Sequence, residues 1–97
     1  MILPLEGIKV VELGVWVVGP TCARVLGELG ADVIKVESPA GGDPARGVVS
    51  PKALSQSGRD LGPVSPWWEM WNGSKRSIAV DLNQEAGKEI VYKLVQR

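Results

Sequence analysis

Apolar positions along the chain follow two rhythms. From Ile8 to Leu13 (IKVVEL) and from Val33 to Val36 (VIKV) they crowd into short runs bounded by turn residues, whereas between them Cys22, Val25, Leu26 and Leu29 recur at i, i+3, i+4 and i+7. The first rhythm predicts strands buried on both faces, and the second a helix with one apolar stripe. Gly19-Pro20 opens that helix, with Pro20 as its first residue, where the amide it lacks would be unpaired anyway. Gly30 ends it by taking the left-handed conformation, and Asp32 opens the next strand. Strand, helix and strand in this order form a βαβ unit, two parallel strands joined by a right-handed crossover. The stripe makes Cys22 a small buried residue, while Lys9 and Glu12 fall where the sheet meets solvent or a partner.

Beyond Glu37 the rhythm is lost. Residues 38–66 are rich in Gly, Pro and Ser (SPAGGDPARG, SPKALSQSG, GPVSP) and predict one long loop, with room for a short helix around Ala53. Trp67 to Trp71 is a helical turn that puts Trp67 and Trp71 on one side. Ser77 to Leu82 (SIAVDL) reads as a third strand, entered through Lys75-Arg76. Asn83 is the expected N-cap of a last helix whose stripe is Ala86, Ile90, Val91, Leu94 and Val95. Glu89 and Lys93 on that helix, and Arg24 and Glu28 on the first, are spaced to pair.

The fold class is therefore α/β, a Rossmann-like parallel sheet built from the βαβ unit plus a third strand and helix. Three strands and two good helices leave a sheet edge and the last helix without cover, so residues 1–97 read as the N-terminal part of a larger domain, poorly stable in isolation.

Charge narrows the function classes. Eleven basic and eleven acidic side chains are mixed along the 97 residues, giving a formal net charge of zero and no footprint for nucleic acid or an anionic membrane. No apolar run approaches a membrane span, Glu6 and Lys9 interrupt any leader-like start, and the single Cys22 can form no internal disulfide, so a cytoplasmic protein is expected. The absence of histidine removes a Ser-His-Asp triad, a Cys-His pair and imidazole metal ligands from this chain.

Candidate chemistry gathers at the carboxyl ends of the strands, where parallel sheets bind ligands. The loop Gly14 to Gly19 lies where a dinucleotide fold keeps its phosphate-binding glycines, yet Trp16, Val17 and Val18 fill that space. Such a loop suits a nucleobase or a pantetheine arm better than a bare phosphate, or else it plugs the core. Glu37 ends the second strand where an acid could hold a ribose, though charged strand ends are commonly solvated, and Lys35 and Glu37 could pair with each other or with the loop. Gly41-Gly42-Asp43 with Arg46 is a turn that presents an acid and a base, or a plain surface turn. Lys75-Arg76 could meet phosphates, and the tryptophans either pack, form an interface or wall an acyl pocket. Pattern alone leaves open whether a nucleotide-containing ligand binds, and names no reaction.

Taken in order, PLEGIKVVELG, VGPTCARVLGELGADVIKVESPAGGDPARG and WNGSKRSIAVDLNQEAGKEI resemble the N-terminal part of the family III CoA-transferases, the group of formyl-CoA transferase and carnitine CoA-transferase, with α-methylacyl-CoA racemase as a relative. The resemblance covers essentially the whole chain. It implies a Rossmann-like domain that binds coenzyme A as acyl-CoA, a carboxylic acid acceptor, and an interlocked homodimer. It places coenzyme A contacts at Val17 and Val18, at Ser38, and at Val80, Asp81, Leu82 and Asn83, with Trp16 lining the thioester pocket. Ser38 stands where the family often has an arginine, which Lys75, Arg76 or Arg46 would have to replace, and apolar Val17 argues against formate or oxalate. The family's nucleophile is an aspartate that takes the acyl group as a mixed anhydride. It lies downstream of this chain, so no catalytic residue and no metal ligand is assigned here. An acyl-CoA racemase or isomerase, or a non-catalytic nucleotide-binding or interaction module, are the alternatives.

Overall fold

The computed structural model describes residues 2–48 and 65–97, so the short helix expected around Ala53 lies outside the described residues. In chain order the elements are β1 (Lys9–Glu12), α1 (Val18–Glu28), β2 (Asp32–Glu37), a 3-10 turn (Pro44–Gly47), α2 (Pro66–Trp71), β3 (Lys75–Ala79) and α3 (Glu85–Val95). The strands form one parallel sheet in the order β1-β2-β3, with Val10 opposite Val33 and Val36 opposite Ile78.

Alternation along the strands feeds two cores. On one face Val33 packs with Ala23 and Ala31 under Val10, Leu26 and Leu5, and α1 covers it. On the other, Val36 packs with Val80 and Val91, flanked by Val11, Ile78 and Leu94, and α3 covers it. Helices on both faces are what a parallel sheet requires. The α/β, Rossmann-like expectation is met, and Gly30 takes its left-handed role at φ 106°.

Several local expectations need correction. The inward side of α1 is Pro20, Ala23 and Leu26, so Cys22 is exposed and Val25 and Leu29 are 49% and 41% exposed. Small residues turn inward because α1 approaches closely: a Cβ on Gly27 would stand 2.9 Å from the Ser74 carbonyl oxygen. The helix begins at Val18, which makes Pro20 its third residue, still within the first turn where amides lack intrahelical acceptors.

β3 starts at Lys75 and ends at Ala79. The last sheet bond beyond it runs from the Val80 amide to the Glu37 carbonyl, 2.8 Å, after which Asp81 bends the chain by accepting the Asn83 amide at 2.9 Å. That turn moves the N-cap of α3 to Gln84, which makes no side-chain cap, in place of the expected Asn83. On α3, Gly87, Val91 and Leu94 face the sheet, Ile90 and Val95 are exposed, and Lys88 pairs with Glu85 where a Glu89–Lys93 pair was expected.

The expected loop 38–66 carries structure at its described ends. Asp43 accepts the Ala45 amide at 2.9 Å to start the 3-10 turn, and Ser65 caps α2 by accepting from Trp68. The Ser65 hydroxyl also donates to the Ala45 carbonyl, 2.6 Å, fastening the two turns together. Arg24 and Glu28 pair as expected, at 2.7 Å, and Trp67 stacks on Trp71 with centroids 4.8 Å apart.

Candidate functional site

The loop between β1 and α1 is pinched at its base. A Cβ on either Gly14 or Gly19 would lie 3.0 Å from the Cα of the other, so both positions need glycine for the backbones to meet. The bulky residues between them are therefore raised into a tip, where Trp16 is 46%, Val17 42% and Val18 83% exposed. They do not plug the core. Trp16 itself has φ 65°, a left-handed conformation that a large L residue adopts only when its surroundings hold it there.

Those surroundings are ionic. On the face that α1 covers, β1 and β2 are apolar toward their amino ends and carry ionisable side chains farther along, β3 adds Lys75 at its first position, and the resulting cluster is buried. Lys35 is 1% exposed and lies 3.0 Å from Glu12 Oε1 and 2.9 Å from Asp43 Oδ2, while Lys75 reaches Glu12 Oε2 at 2.8 Å. Two acids and two lysines balance, which is the condition under which buried charge is tolerated. The cluster also grips main chain. Lys35 Nζ donates to the Gly14 carbonyl (3.0 Å), Asp43 Oδ1 accepts from the Trp16 amide (3.1 Å), and Lys75 Nζ donates to the Pro20 carbonyl (2.8 Å) and to Asn72 Oδ1 (2.9 Å).

A second pair adjoins it. Glu37 accepts from Arg46 Nε and Nη2 at 2.8 and 2.7 Å, from the Asp43 amide at 2.9 Å and from the Ser77 hydroxyl. The guanidinium lies 3.4 Å from the centre of the Trp68 ring, which roofs this side of the cluster. A Cβ on Gly42, at φ 74°, would stand 2.7 Å from Glu37 Oε1, so glycine there lets the turn close over the carboxylate.

Electrostatics follow the geometry. The Arg46 guanidinium, helped by Ser77 and the Asp43 amide, holds the Glu37 carboxyl down from 4.5 to about 2 against the opposing effect of burial. Burial pushes Asp43 upward, yet Lys35 and the amides of Ala45 and Trp16 outweigh it and leave the group below the usual range. Burial also dominates at Lys75, whose ammonium is pushed down in spite of Glu12. Arg46 is raised by Glu37.

These facts correct the sequence expectations for the charged residues. Glu12 and Glu37 are buried rather than solvated at strand ends, and Lys35 pairs with Glu12 and Asp43, not with Glu37. Gly41-Gly42-Asp43 is a turn, but Asp43 points inward and is 1% exposed. Of the cations that could stand in for an arginine at Ser38, Lys75 is enclosed, and Arg76 pairs with Asp32 at the amino end of β2. Only Arg46 borders Ser38: with Glu37, Gly42, Ser77 and Ala79 they line a cavity of about 300 Å³.

Two further cavities flank the loop. One of about 230 Å³ at the carboxyl ends of the strands is lined by Leu13, Val15, Ser38, Asp43 and the run Val80, Asp81, Leu82 and Asn83. The other, about 370 Å³, is lined by Trp16, Val17, Val48, Trp67 and Trp71, all apolar. The residues singled out in the sequence thus divide between these two spaces, and Val18 borders neither. Val48 and the buried cluster were missed. A signal was present in the strands: Glu12, Lys35, Glu37, Lys75 and Ser77 share one alternation phase, so pairing the strands brings them together. Among the described residues no group of three His, Cys, Asp or Glu is placed to hold a metal ion, and no helix is long and apolar enough to cross a membrane.

Comparison with known proteins gives this arrangement a family. Residues 5–97 match the model of CoA-transferase family III. The chain is 41% identical over 93 residues to a succinate–glutarate CoA-transferase of Agrobacterium fabrum, covering 96% of this chain and 23% of that one. It is 40% identical over 91 residues to an (R)-2-hydroxy-4-methylpentanoate CoA-transferase of Clostridioides difficile, covering 94% and 22%. A crystal structure of a CAIB/BAIF family protein from Brucella suis superposes with a TM-score of 0.81 at 41% identity, over 98% of this chain and 24% of that one. The chain thus spans about a quarter of the length of the relatives it matches. The match from Leu5 to Arg97 and the superposition of the α/β fold agree, and the chain belongs to CoA-transferase family III.

Proposed function

We propose that residues 1–97 form the N-terminal, coenzyme A-binding part of an enzyme that moves CoA between carboxylic acids. The observation that carries this reading is the pair of unlike cavities on either side of the Gly14–Gly19 loop, at the carboxyl ends of a parallel sheet. Acyl-CoA is a molecule of two unlike ends. Its nucleotide suits the cavity rimmed by Ser38, Asp81 and Asn83, where hydroxyl, carboxylate and amide groups can meet ribose and base, with Val80 and Leu82 as apolar floor. Its acyl end suits the space walled among the described residues by Trp16, Val17, Val48, Trp67 and Trp71, an apolar lining that favours a hydrocarbon chain over a small charged acid such as formate or oxalate. On this reading the pantetheine arm that joins the two ends passes the exposed loop tip formed by Val17, which lines the acyl space, and Val18.

Ser38 brings no charge, and Arg46 beside it supplies the cation for a CoA phosphate through Nη1, the guanidinium nitrogen outside its pair with Glu37. The nucleophile belongs to a part of the protein beyond this chain. An aspartate there would attack the donor thioester to give an acyl-aspartyl anhydride and CoA thiolate. The thiolate would attack the aspartyl carbonyl and expel the donor acid, and the acceptor carboxylate would displace the thiolate from that aspartyl thioester as a new anhydride. The thiolate would then attack the acceptor acyl carbon to release acceptor-CoA and the free aspartate. By family resemblance the protein is a cytoplasmic, interlocked homodimer, and this chain contributes binding and orientation.

The test is an exchange assay on the full-length protein with an acyl-CoA and an isotopically labelled acceptor acid. Label appearing in a new CoA thioester supports the reading. Inversion of the α-carbon without exchange would replace it with a racemase of the same fold.

A further inference from the structure

Trp16 combines two facts that call for an explanation. It is a bulky, half-exposed residue in left-handed backbone, and its amide is bonded to a carboxylate that is itself almost fully buried. We propose that Asp43 is a positioning residue for the acyl site: it holds Trp16 in that conformation, and thereby sets one wall of the tryptophan cavity. This rests on the coenzyme A reading above and deepens it.

Asp43 is suited to the task by the way each of its oxygens is used. Oδ1 accepts from the Trp16 amide at 3.1 Å and from the Ala45 amide at 2.9 Å, so one atom links the β1–α1 loop to the 3-10 turn. Oδ2 lies 2.9 Å from Lys35 Nζ, and the same ammonium donates to the Gly14 carbonyl at 3.0 Å. The loop is thereby held at two points: its base by Lys35 and its tip by Asp43. Because both anchors stand on β2 or on the turn that follows it, the loop cannot shift without moving a buried ion pair. Asp43 borders the Ser38 and Val80–Asn83 cavity, whereas the residue it grips lines the tryptophan cavity. Releasing Trp16 lets its backbone relax out of the left-handed region and takes the indole from the cavity it shares with Trp67 and Trp71.

Two measurements on the full-length protein test this. In the wild-type protein, hydrogen exchange resolved to single amides is expected to be slower at Trp16 than at Val15 and Val17 by about tenfold, the effect of one hydrogen bond of this kind. This arm requires no variant to fold. The second is a double-mutant cycle read as the ratio of affinities for hexanoyl-CoA and for CoA itself. Asp43→Ala lowers the ratio by about tenfold, and Trp16→Gly lowers it similarly, since glycine accepts the backbone but removes the wall. Adding Asp43→Ala to Trp16→Gly leaves the ratio unchanged, because the residue it acts through is gone. A purely structural role for Asp43 would reduce both affinities together and leave the ratio constant in every background. Fast exchange at Trp16, a constant ratio, or additive losses in the double variant would each overturn the positioning role. A wild-type protein that binds neither CoA nor hexanoyl-CoA, with Trp16 still protected, would instead remove the coenzyme A reading on which the acyl site depends.

Discussion

Glu37, the last residue of β2, and Arg46, nine residues on, meet through two parallel hydrogen bonds of 2.8 and 2.7 Å. The geometry fixes the turn between them and keeps a buried carboxylate ionised, with its pKa held at about 2. Because that value lies below the unfolded one of 4.5, the group contributes stability that is fully present above pH 4.5 and is lost as pH falls toward 2. The contribution is up to roughly 3 kcal/mol at neutral pH, from about 1.4 kcal/mol per pKa unit. Acid unfolding of Arg46→Ala should therefore begin at higher pH than that of the wild-type protein, with the neutral-pH stability reduced by about 2 kcal/mol. Denaturant midpoints measured at a series of pH values between 2 and 7 check both.

The Lys75 side chain is enclosed and neutralises Glu12 jointly with Lys35. Lys75→Met keeps the length and apolar stem but leaves Glu12 with a single cation, and should cost about 3 kcal/mol or more. The companion change Glu12→Gln in the same protein should recover part of that loss, because it removes the unmatched charge. Thermal unfolding of the two single variants and the double variant reads this coupling.

Gly87 faces inward on α3 against the turn after β3. An added Cβ would fall 1.9 Å from the Asp81 carbonyl oxygen, a clash with main chain that no side-chain rotation relieves. Gly87→Ala, which favours an ordinary helix by about 1 kcal/mol, should here destabilise by about 2 kcal/mol or more. It should also weaken CoA binding, because the carbonyl it displaces belongs to the Val80–Asn83 run. Chemical denaturation and a CoA titration test the two effects separately.

Trp71 supports Trp67 by stacking, 4.8 Å between centroids, and both line the apolar cavity. Trp71→Ala should lower affinity for hexanoyl-CoA by about tenfold while affinity for CoA changes little, since an aromatic wall of this size contributes on the order of 1 kcal/mol or more to an apolar ligand. Isothermal titration with the two ligands is the measurement.

The sheet, its parallel sense and the crossover were legible because short apolar runs and a helical stripe are local signals, and Gly30 marked its own position. The inward side of α1 was not, because close packing against Ser74 selects Ala23 and Gly27 over the larger residues that dominate a stripe. At the candidate site, Ser38 and Val80 to Asn83 do share a cavity, and Trp16 and Val17 share another with Trp67 and Trp71. The burial of Glu12, Lys35, Lys75 and Asp43 escaped notice because a charge is read singly as solvated, and only the strand register together with the turn after β2 joins these into a neutral cluster. Val48 lacked any local mark, since its place in the tryptophan cavity depends on contacts between segments distant in sequence.

The most direct test of the central claim is a crystal structure of the full-length protein with coenzyme A bound. The adenosine end is expected against Ser38 and Val80 to Asn83, with the pantetheine arm passing the Val17–Val18 tip and the thiol directed toward Trp16, Trp67 and Trp71. Coenzyme A bound at a site that touches neither cavity would contradict that claim.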